Sequence, residues 1–204
     1  MHTPILDTIA SPKQVKALSR HERIARVQEI RAYLVNLGDQ CGGHLASNLG
    51  VVELTIALHT VFDSPADPFV WDVSHQCYVH KLLTGRRDRM LTLRQYNGIS
   101  GFAKIDESPH DSFGAGHAGT ALSAALGMAH ARDLKHQSNN VISIIGDGTL
   151  SNGMVFEALN NSDALNTNFI CILNDNDMSI SKPTGSLAKY MTQLRTAKAY
   201  NFMW

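Results

Sequence analysis

The chain has 204 residues, enough for one sizeable domain with a hydrophobic core. It contains 18 lysines and arginines and 18 aspartates and glutamates, so no excess of positive charge favours nucleic acid or an anionic membrane as a partner. No apolar run reaches the length of a membrane span, and the first residues do not resemble a signal peptide. The 3 cysteines are widely spaced, without a CxxC pair, and indicate reduced thiols rather than a disulfide framework or a zinc site. We therefore expect a soluble cytoplasmic protein that binds neither nucleic acid nor membrane.

Two helices are predicted near the start of the chain. Residues 21–37 place apolar side chains at helical spacing, and Gly38 is predicted to end that helix. The face that this helix should bury comprises Ile24, Val27, Ile30, Leu34 and Leu37. A second, more apolar helix is predicted over residues 50–62, and the turn Asp63-Ser64-Pro65 should end it.

The middle of the chain alternates between strand and helix patterns. Residues 69–73 predict a short strand that leads into a helix over residues 75–83. Residues 85–109 are polar and interrupted by glycines, so we expect a long surface excursion there. Residues 119–134 are rich in alanine and leucine and predict a closely packed helix.

A strand-helix-strand unit follows. Residues 141–145 are β-branched and have the length of a buried strand, and they run into Gly146-Asp147-Gly148. Residues 153–165 have helical apolar spacing, and a second strand over residues 168–173 leads to Asn174-Asp175-Asn176. These patterns predict an α/β fold with a largely parallel sheet flanked by helices.

The ends of these two strands carry side chains suited to a metal. Parallel sheets bind ligands at the carboxyl ends of their strands, so Asp147 and Asn176 should meet at one edge. Carboxylate and amide oxygens suit Mg²⁺ or Ca²⁺, while Gly146 and Gly148 let the backbone approach an anion near the positive end of the following helix. A metal-bridged diphosphate fits this pattern. The alternative is an ordinary glycine turn followed by an Asx-rich loop.

The two turns, separated by a helix and about 30 residues, resemble the thiamine-diphosphate signature of transketolase-like enzymes. Further segments are similar to the amino-terminal part of the 1-deoxy-D-xylulose-5-phosphate synthases, and they occur in that family's order over almost the whole chain. These segments are residues 43–50, 52–55, 57–59, 71–76, 80–86 and 107–114. The resemblance implies a thiamine-diphosphate-binding domain that uses thiamine diphosphate and Mg²⁺.

The resemblance also implies roles for individual residues. Asp147, Asn176 and the backbone carbonyl of Met178 correspond to the metal ligands of the family. The positions that correspond to cofactor-binding residues are His75, Gly116, His117, Ala118, Gly146, Gly148, Thr149 and Asn176.

Several histidines are candidates for the chemistry. His75 follows a predicted strand directly, and His44 precedes a helix; each could instead be a structural residue bonded to nearby backbone. In the family, the first of these positions lies at the cofactor and the second faces the reacting centre, so we assign both as catalytic. His117 precedes a helix and can contact the cofactor through its backbone and its ring. His80 and His110 are candidates for contacting a phosphorylated substrate. A zinc site is not supported, because no cysteine pair or HExxH helix accompanies these histidines.

Two positions depart from the family pattern. Ser74 stands where the family has a glycine before the histidine, and a serine there would hinder a turn that needs a positive φ. Ala118 replaces a serine in the segment Gly116-His117-Ala118-Gly119, which removes a hydroxyl group that could bond the cofactor.

Members of the family are longer than this chain. A further domain binds the aminopyrimidine ring of the cofactor and supplies the glutamate that activates it, and no segment here replaces that domain. We therefore expect residues 1–204 to form a single, incomplete amino-terminal diphosphate-binding domain that turns over poorly alone, with the aminopyrimidine-binding and carboxy-terminal domains absent. The final Phe202-Met203-Trp204 is unlike a solvated tail, which suggests a proteolytic or engineered fragment.

The reaction implied for the complete enzyme is the condensation of pyruvate with D-glyceraldehyde 3-phosphate. Its products are 1-deoxy-D-xylulose 5-phosphate, a precursor of isoprenoids, thiamine and pyridoxal, and CO₂. A homodimer, a companion polypeptide with the rest of the enzyme, or both, would be the partners. Two alternatives remain at this point: a subunit of a split transketolase, and a non-catalytic cofactor-binding paralogue.

Overall fold

The computed structural model describes residues 8–165 and 167–175, together with the single positions 186 and 193. Its described part contains a parallel sheet of 3 strands in the order β1-β2-β3, with helices around it. The strands are β1 (Phe69–Trp71), β2 (Ile142–Gly146) and β3 (Ile170–Asn174). The helices are α1 (Pro12–Ala17), α2 (Arg20–Cys41), α3 (Leu45–Leu49), α4 (Val52–Val61), α5 (Tyr78–Lys81), α6 (Ala121–Leu134) and α7 (Gly153–Leu165). None of the helices in the described part is long and apolar enough to cross a lipid bilayer.

Helix α2 begins at a capping box. The Ser19 hydroxyl accepts a hydrogen bond from the Glu22 amide at 3.3 Å, and the Glu22 carboxylate accepts one from the Ser19 amide at 2.7 Å. Ile30, Leu34 and Leu37 are buried as predicted. Ile24 was wrongly assigned to that face, because it lies on the solvent side of the first turns and is 58% exposed.

The prediction that Gly38 ends α2 is also wrong, because the helix continues to Cys41. A glycine inside a helix weakens it by only about 1 kcal/mol relative to alanine, so Gly38 alone does not stop it. The helix ends at Gly42, where φ is +64° and the amide donates to the Gly38 carbonyl at 2.9 Å. The true stop is the glycine that must take the left-handed conformation.

Strand β1 is shorter than predicted. It ends at Trp71 because Val73 and Ser74 both have positive φ, +56° and +65°, which no strand can include. The turn that follows delays the next helix, which begins at Tyr78 rather than at residue 75.

Residues 85–109 form the predicted surface excursion only in part: Leu91, Tyr96 and Ile105 are exposed, but other apolar side chains of the segment pack against the core. Met90, Leu93 and Ile99 are each at most 1% exposed and belong to the main hydrophobic cluster. These apolar residues have no regular period in the sequence, so their burial leaves no helical or strand pattern to read.

A buried ion cluster of Lys81, Arg86, Glu107 and Asp111 anchors this segment. Both terminal nitrogens of Arg86 bond the Asp111 carboxylate, at 2.7 and 2.9 Å, and one of them also bonds Glu107 at 3.0 Å. Lys81 donates to Glu107 as well. Because each charge in this cluster has an opposite charge bonded to it, the burial of the cluster is tolerated.

The sheet separates two hydrophobic cores. Side chains on one face, Phe69, Trp71, Ile142 and Ile144, pack with buried residues of α2 and α4. The alternate residues Val70 and Ile145 pack with buried residues of α6 and α7. This alternation follows from the two-residue period of a strand, and it confirms the predicted sheet between helices.

The strand-helix-strand unit is confirmed, and α7 has the predicted bounds. In the parallel register, Gly146 at the end of β2 pairs with Asn174 at the end of β3. Asp147 and Asp175 therefore follow neighbouring positions at the same edge of the sheet. Asn176 and Met178, predicted to join Asp147 there, lie outside the described residues.

Candidate active site

The turn after β2 leaves open space beside its backbone. Asp147 starts a short turn of 3-10 helix, and the Thr149 hydroxyl donates to the Gly146 carbonyl at 2.8 Å. A Cβ atom placed on Gly146 or Gly148 would meet no atom of the described residues within 4 Å. Neither glycine is therefore demanded by a neighbouring protein group, and the open space suits a ligand that approaches the backbone. Helix α7 begins at Gly153, as predicted, five residues after Gly148.

The loop that carries Gly116, His117 and Ala118 is fixed to this edge at two points. At Gly119, φ is +84° and an added Cβ would lie 2.7 Å from Cβ of Asn152, between the glycine turn and α7. The Asp72 carboxylate, directly after β1, accepts the Gly119 amide at 3.0 and 3.1 Å and the Ala121 amide at 3.2 Å. Asp72 thus connects the end of β1 to the start of α6, a role that our sequence analysis missed.

The predicted cofactor residues of this loop face open space. Gly116 and His117 are exposed and Ala118 is half-buried, and in the part of the chain that the structure describes a Cβ on Gly116 would meet nothing within 4 Å. The His117 carbonyl accepts the Thr120 hydroxyl at 3.1 Å. The structure thus places these residues on the same loop edge, accessible to a ligand.

His44 and His75 come together as an edge-to-face pair. Their ring centroids are 5.3 Å apart, and the Phe102 ring lies 6.0 Å from that of His44. Burial lowers the pKa of His75, the neighbouring His44 lowers it further, and Asp72 opposes the change. Burial also lowers the pKa of His44, with a smaller contribution from Arg94. Both imidazoles are therefore neutral at pH 7 and able to accept a proton.

The turn before His75 is strained. Val73 is β-branched and has φ +56°, a rare conformation for such a residue, and Ser74 has φ +65°. The expectation that this turn needs a positive φ is therefore correct. The serine makes a compensating bond: its buried hydroxyl accepts the Ala103 amide at 2.8 Å. Such strain is characteristic of functional sites.

Asn48 connects the two histidine segments. Its side-chain nitrogen donates to the His44 carbonyl at 2.7 Å and to the His75 carbonyl at 2.8 Å. Its side-chain oxygen accepts the Tyr78 amide at 2.8 Å. This role of Asn48 could not be predicted from the sequence, because contacts between segments 27 residues apart leave no local pattern.

His80 is not available to a substrate. It is fully buried, with Nδ1 at 3.0 Å from Nε2 of His59 and Nε2 at 3.2 Å from the His110 carbonyl and 3.4 Å from the Asp111 carboxylate. The assignment of His80 to substrate contact is therefore wrong. His110 is half-buried, and its Nδ1 lies 2.9 Å from the Ser64 hydroxyl.

A cavity of about 690 Å³ opens beside His44. Arg89, Arg94 and Lys104 line it together with Asp106 and Glu107. The Glu107 carboxylate is already bonded within the buried ion cluster, so cations outnumber the remaining carboxylate in this wall. The cavity therefore favours an anionic ligand.

The described residues contain no group of three or more His, Cys, Asp or Glu side chains that could hold a metal ion. The predicted metal set differs in kind: it uses a single carboxylate, from Asp147, with the amide oxygen of Asn176 and the carbonyl of Met178. Mg²⁺ commonly takes only one or two protein carboxylates and completes its shell with phosphate and water. The donor type at Asp147 therefore fits Mg²⁺ bridged to a diphosphate.

Cys77 lies inside the core next to this site. It is 0% exposed, and burial raises the pKa of its thiol to about 12. Cys41, Cys77 and Cys171 are all free, as predicted. The buried thiol is protonated at neutral pH and is not a nucleophile for the reaction.

Comparison with solved structures supports the fold. A crystal structure of a transketolase mutant from Pichia stipitis superimposes with a TM-score of 0.65 at 20% identity, over 81% of this chain and 29% of that one. At this identity the similarity establishes the α/β fold alone.

Closer relatives establish the family. Synthases of 1-deoxy-D-xylulose 5-phosphate from Syntrophomonas wolfei and Dehalococcoides mccartyi are each 58% identical, over 97% of this chain and 31% of the relative. The enzyme of that name from Rhodobacter capsulatus is 55% identical over 94% of this chain and 30% of its own length. The chain thus spans about a third of the length of these relatives. The family model described as 1-deoxy-D-xylulose-5-phosphate synthase matches residues 6–204, and the chain belongs to that family.

Proposed function

We propose that this chain is the diphosphate-binding part of an enzyme that condenses pyruvate with D-glyceraldehyde 3-phosphate. The products would be 1-deoxy-D-xylulose 5-phosphate and CO₂. The observation that carries the proposal is the convergence at one sheet edge of the open glycine turn after β2 and the loop fixed by Asp72. The names of the close relatives supply the product, 1-deoxy-D-xylulose 5-phosphate, and the two substrates are those of the family that the sequence resembles.

The cofactors of the proposal are thiamine diphosphate and Mg²⁺, and the thiazolium carbon of the former supplies the nucleophile when bound. Asp147, Asn176 and Met178 would hold the metal. The diphosphate would lie along Gly146, Gly148, Thr149 and Asn176, where the two glycines leave the backbone accessible. The remaining cofactor contacts would come from His75, Gly116, His117 and Ala118.

The catalytic residues of the proposal are His44 and His75. Because burial favours the neutral form of both imidazoles, either ring could accept a proton and then, as an imidazolium, give it to the aldehyde oxygen, which becomes a hydroxyl as the new carbon–carbon bond forms. The cavity beside His44 carries Arg89, Arg94 and Lys104, which would attract pyruvate and the phosphorylated aldehyde, both of them anions.

The oligomeric and cellular parts of the proposal are a homodimer and a cytoplasmic location. Exposed apolar side chains on α7 and β3 are of the kind that a second copy of the subunit covers: Met154, Phe156, Leu159, Leu165, Ile170 and Leu173. Sedimentation equilibrium of the full-length protein gives its subunit number, and a monomer at micromolar concentration would contradict the dimer. The free thiols support a reducing compartment.

Two measurements test the function. Calorimetric titration with thiamine diphosphate and Mg²⁺ is expected to show no binding to the Asp147→Ala variant of the full-length protein, because the metal loses its carboxylate. Asp163→Ala, a change at an exposed position of α7, should bind as the unmodified protein does. Retained Mg²⁺-dependent affinity in Asp147→Ala would refute the metal site.

The second measurement is CO₂ release from pyruvate in the presence of D-glyceraldehyde 3-phosphate. The unmodified full-length protein should release CO₂ in proportion to the ketose formed. A protein that transfers a two-carbon unit from a sugar phosphate, without CO₂, would be a transketolase instead.

A further inference from the structure

Asn48 is a buried polar side chain whose bonds all lead to the candidate catalytic segments. It lies in α3, is 0% exposed, and uses both amide hydrogens as donors and its oxygen as an acceptor. Its two carbonyl partners belong to His44 and His75. A single side-chain amide therefore bridges the backbones of the two histidines that the proposed function uses.

Few other polar contacts hold these segments together. Among the described residues, the other hydrogen bond between residues 43–50 and 74–78 joins the His44 amide to the Tyr78 hydroxyl, at a long 3.4 Å. The Asn48 bonds are shorter, 2.7 to 2.8 Å, and lie in the interior, where a hydrogen bond is least exchanged with water. The relative position of the histidine backbones thus depends chiefly on Asn48.

The bridge has a geometric consequence for the rings. With both carbonyls held by one nitrogen, the imidazoles are kept edge to face with centroids 5.3 Å apart. Phe102 packs on the far side of His44, at 6.0 Å. Nδ1 of His75 is buried and has no hydrogen-bond partner among the residues that the structure describes, so none of them orients the ring through that nitrogen.

We propose that Asn48 is the positioning residue of the histidine pair: it sets the separation and orientation of His44 and His75 that proton transfer requires. This inference rests on the proposed function, because the histidines matter only if they handle protons. A misplacement of about 1 Å in such a site can lower the rate on the order of 100-fold.

The first test uses Asn48→Ala and Asn48→Asp in the full-length protein. Alanine removes all three bonds, and aspartate keeps the shape but cannot donate to either carbonyl. We expect kcat to fall between about 10-fold and 100-fold in both variants. The KM for pyruvate should change by less than about 3-fold, since the cavity cations are untouched.

Thr55→Val is the matched control. The Thr55 hydroxyl is equally buried and donates to the carbonyl of Val51, the residue before α4, at 2.7 Å, so its loss removes a buried hydrogen bond without touching the histidines. Its kcat should stay within about 2-fold of the unmodified protein. Folded Asn48 variants that behave like Thr55→Val would overturn the proposal and leave Asn48 a structural residue.

A spectroscopic readout separates positioning from stability. Burial and the neighbouring His44 lower the pKa of His75, whereas Asp72 raises it. Arg94 contributes to the lowered pKa of His44. Release of the bridge in Asn48→Ala should let the rings separate, so the NMR titration midpoint of His75 should rise toward its ordinary value. An unchanged midpoint in the folded variant would count against positioning.

Two further outcomes are distinguishable. If neither variant folds, the unmodified protein decides: thiamine diphosphate should shift the side-chain amide resonances of Asn48, and resonances that do not move at saturation would overturn the proposal. If the unmodified protein releases no CO₂ from pyruvate, the proposed function fails. If that protein is active and both Asn48 variants match it, the positioning role fails alone.

Discussion

At the scale of single residues, two opposing effects meet at Ser74. A residue with a Cβ loses about 1 to 2 kcal/mol in the left-handed conformation that this serine adopts. Its hydroxyl, however, satisfies the buried Ala103 amide, and leaving such a group unpaired costs about 1 to 3 kcal/mol. The departure from the family glycine is therefore compensated locally, and it ties the segment after Ile99 to the His75 turn.

We predict that Ser74→Gly destabilises the protein by about 1 kcal/mol, since relief of strain is offset by the lost bond and by the greater freedom of glycine in the unfolded chain. Ser74→Ala should destabilise it more, by about 2 kcal/mol, because it keeps the strain and loses the bond. Urea unfolding measures both. A Ser74→Gly protein more stable than the unmodified one would show that strain outweighs the hydroxyl bond.

At the scale of elements, the loop at Gly116–Gly119 depends on a close approach. An added Cβ at Gly119 would lie 2.7 Å from Asn152, and the left-handed φ of +84° adds strain. The same loop is bonded to Asp72, so any displacement is transmitted to the end of β1. The element is therefore held from both sides of the candidate cofactor edge.

Gly119→Ala should lower stability by about 2 to 4 kcal/mol and weaken thiamine-diphosphate binding, because the loop must move away from the glycine turn. Gly114→Ala is the control, since a Cβ there meets none of the described residues within 4 Å. Thermal unfolding and calorimetric titration measure the two effects. Equal behaviour of the two variants would contradict the close approach.

Local periodicity explains which elements could be predicted. The strand-helix-strand unit was predicted with the observed bounds of α7, because its apolar spacing repeats within the segment. The end of α2 was missed because the choice between Gly38 and Gly42 depends on the backbone conformation that tertiary packing imposes. Residues 85–109 were partly misjudged because their buried side chains follow no period.

The candidate site could be predicted only in part, for a related reason. Asp147, His44 and His75 stand in motifs, so residue type and order pointed to them. Asn48 and Asp72 act through bonds to distant backbone groups, and such bonds have no signature in the sequence. Their roles required the folded arrangement.

At the scale of the whole molecule, the buried histidines couple stability to pH. Burial lowers the pKa of His59 well below its ordinary value and lowers that of His80, although Asp111 raises the latter. The neighbouring Arg86 opposes protonation of both rings, and His110 and Lys16 oppose that of His59. The bonds are consistent with neutral rings, in which His59 donates from Nε2 to Nδ1 of His80.

The free energy of unfolding should therefore have its full value above about pH 6.5, the pH near which histidines of the unfolded chain titrate. It should decline as the pH falls below that value. In that range the unfolded chain binds more protons, and each histidine contributes up to about 1.4 kcal/mol per pH unit. His59→Gln should reduce the slope of the unfolding free energy against pH by the contribution of one histidine. Urea unfolding between about pH 5 and 7.5 measures this slope. Thr55→Val, which changes no titrating group, should lower stability without altering the slope. An unchanged slope in His59→Gln would contradict the coupling.

The burial of Cys77 makes the reactivity of its thiol a measure of how often the surrounding core opens. A thiol with a pKa of about 12 and no exposed surface reacts with alkylating reagents only while the core around it is transiently open. Because Cys77 immediately precedes α5 and its amide bonds the Ser74 carbonyl at 3.3 Å, its alkylation rate reports how often the His75 turn opens. A ligand that holds this turn closed would slow the alkylation of Cys77, whether or not the enzyme converts that ligand.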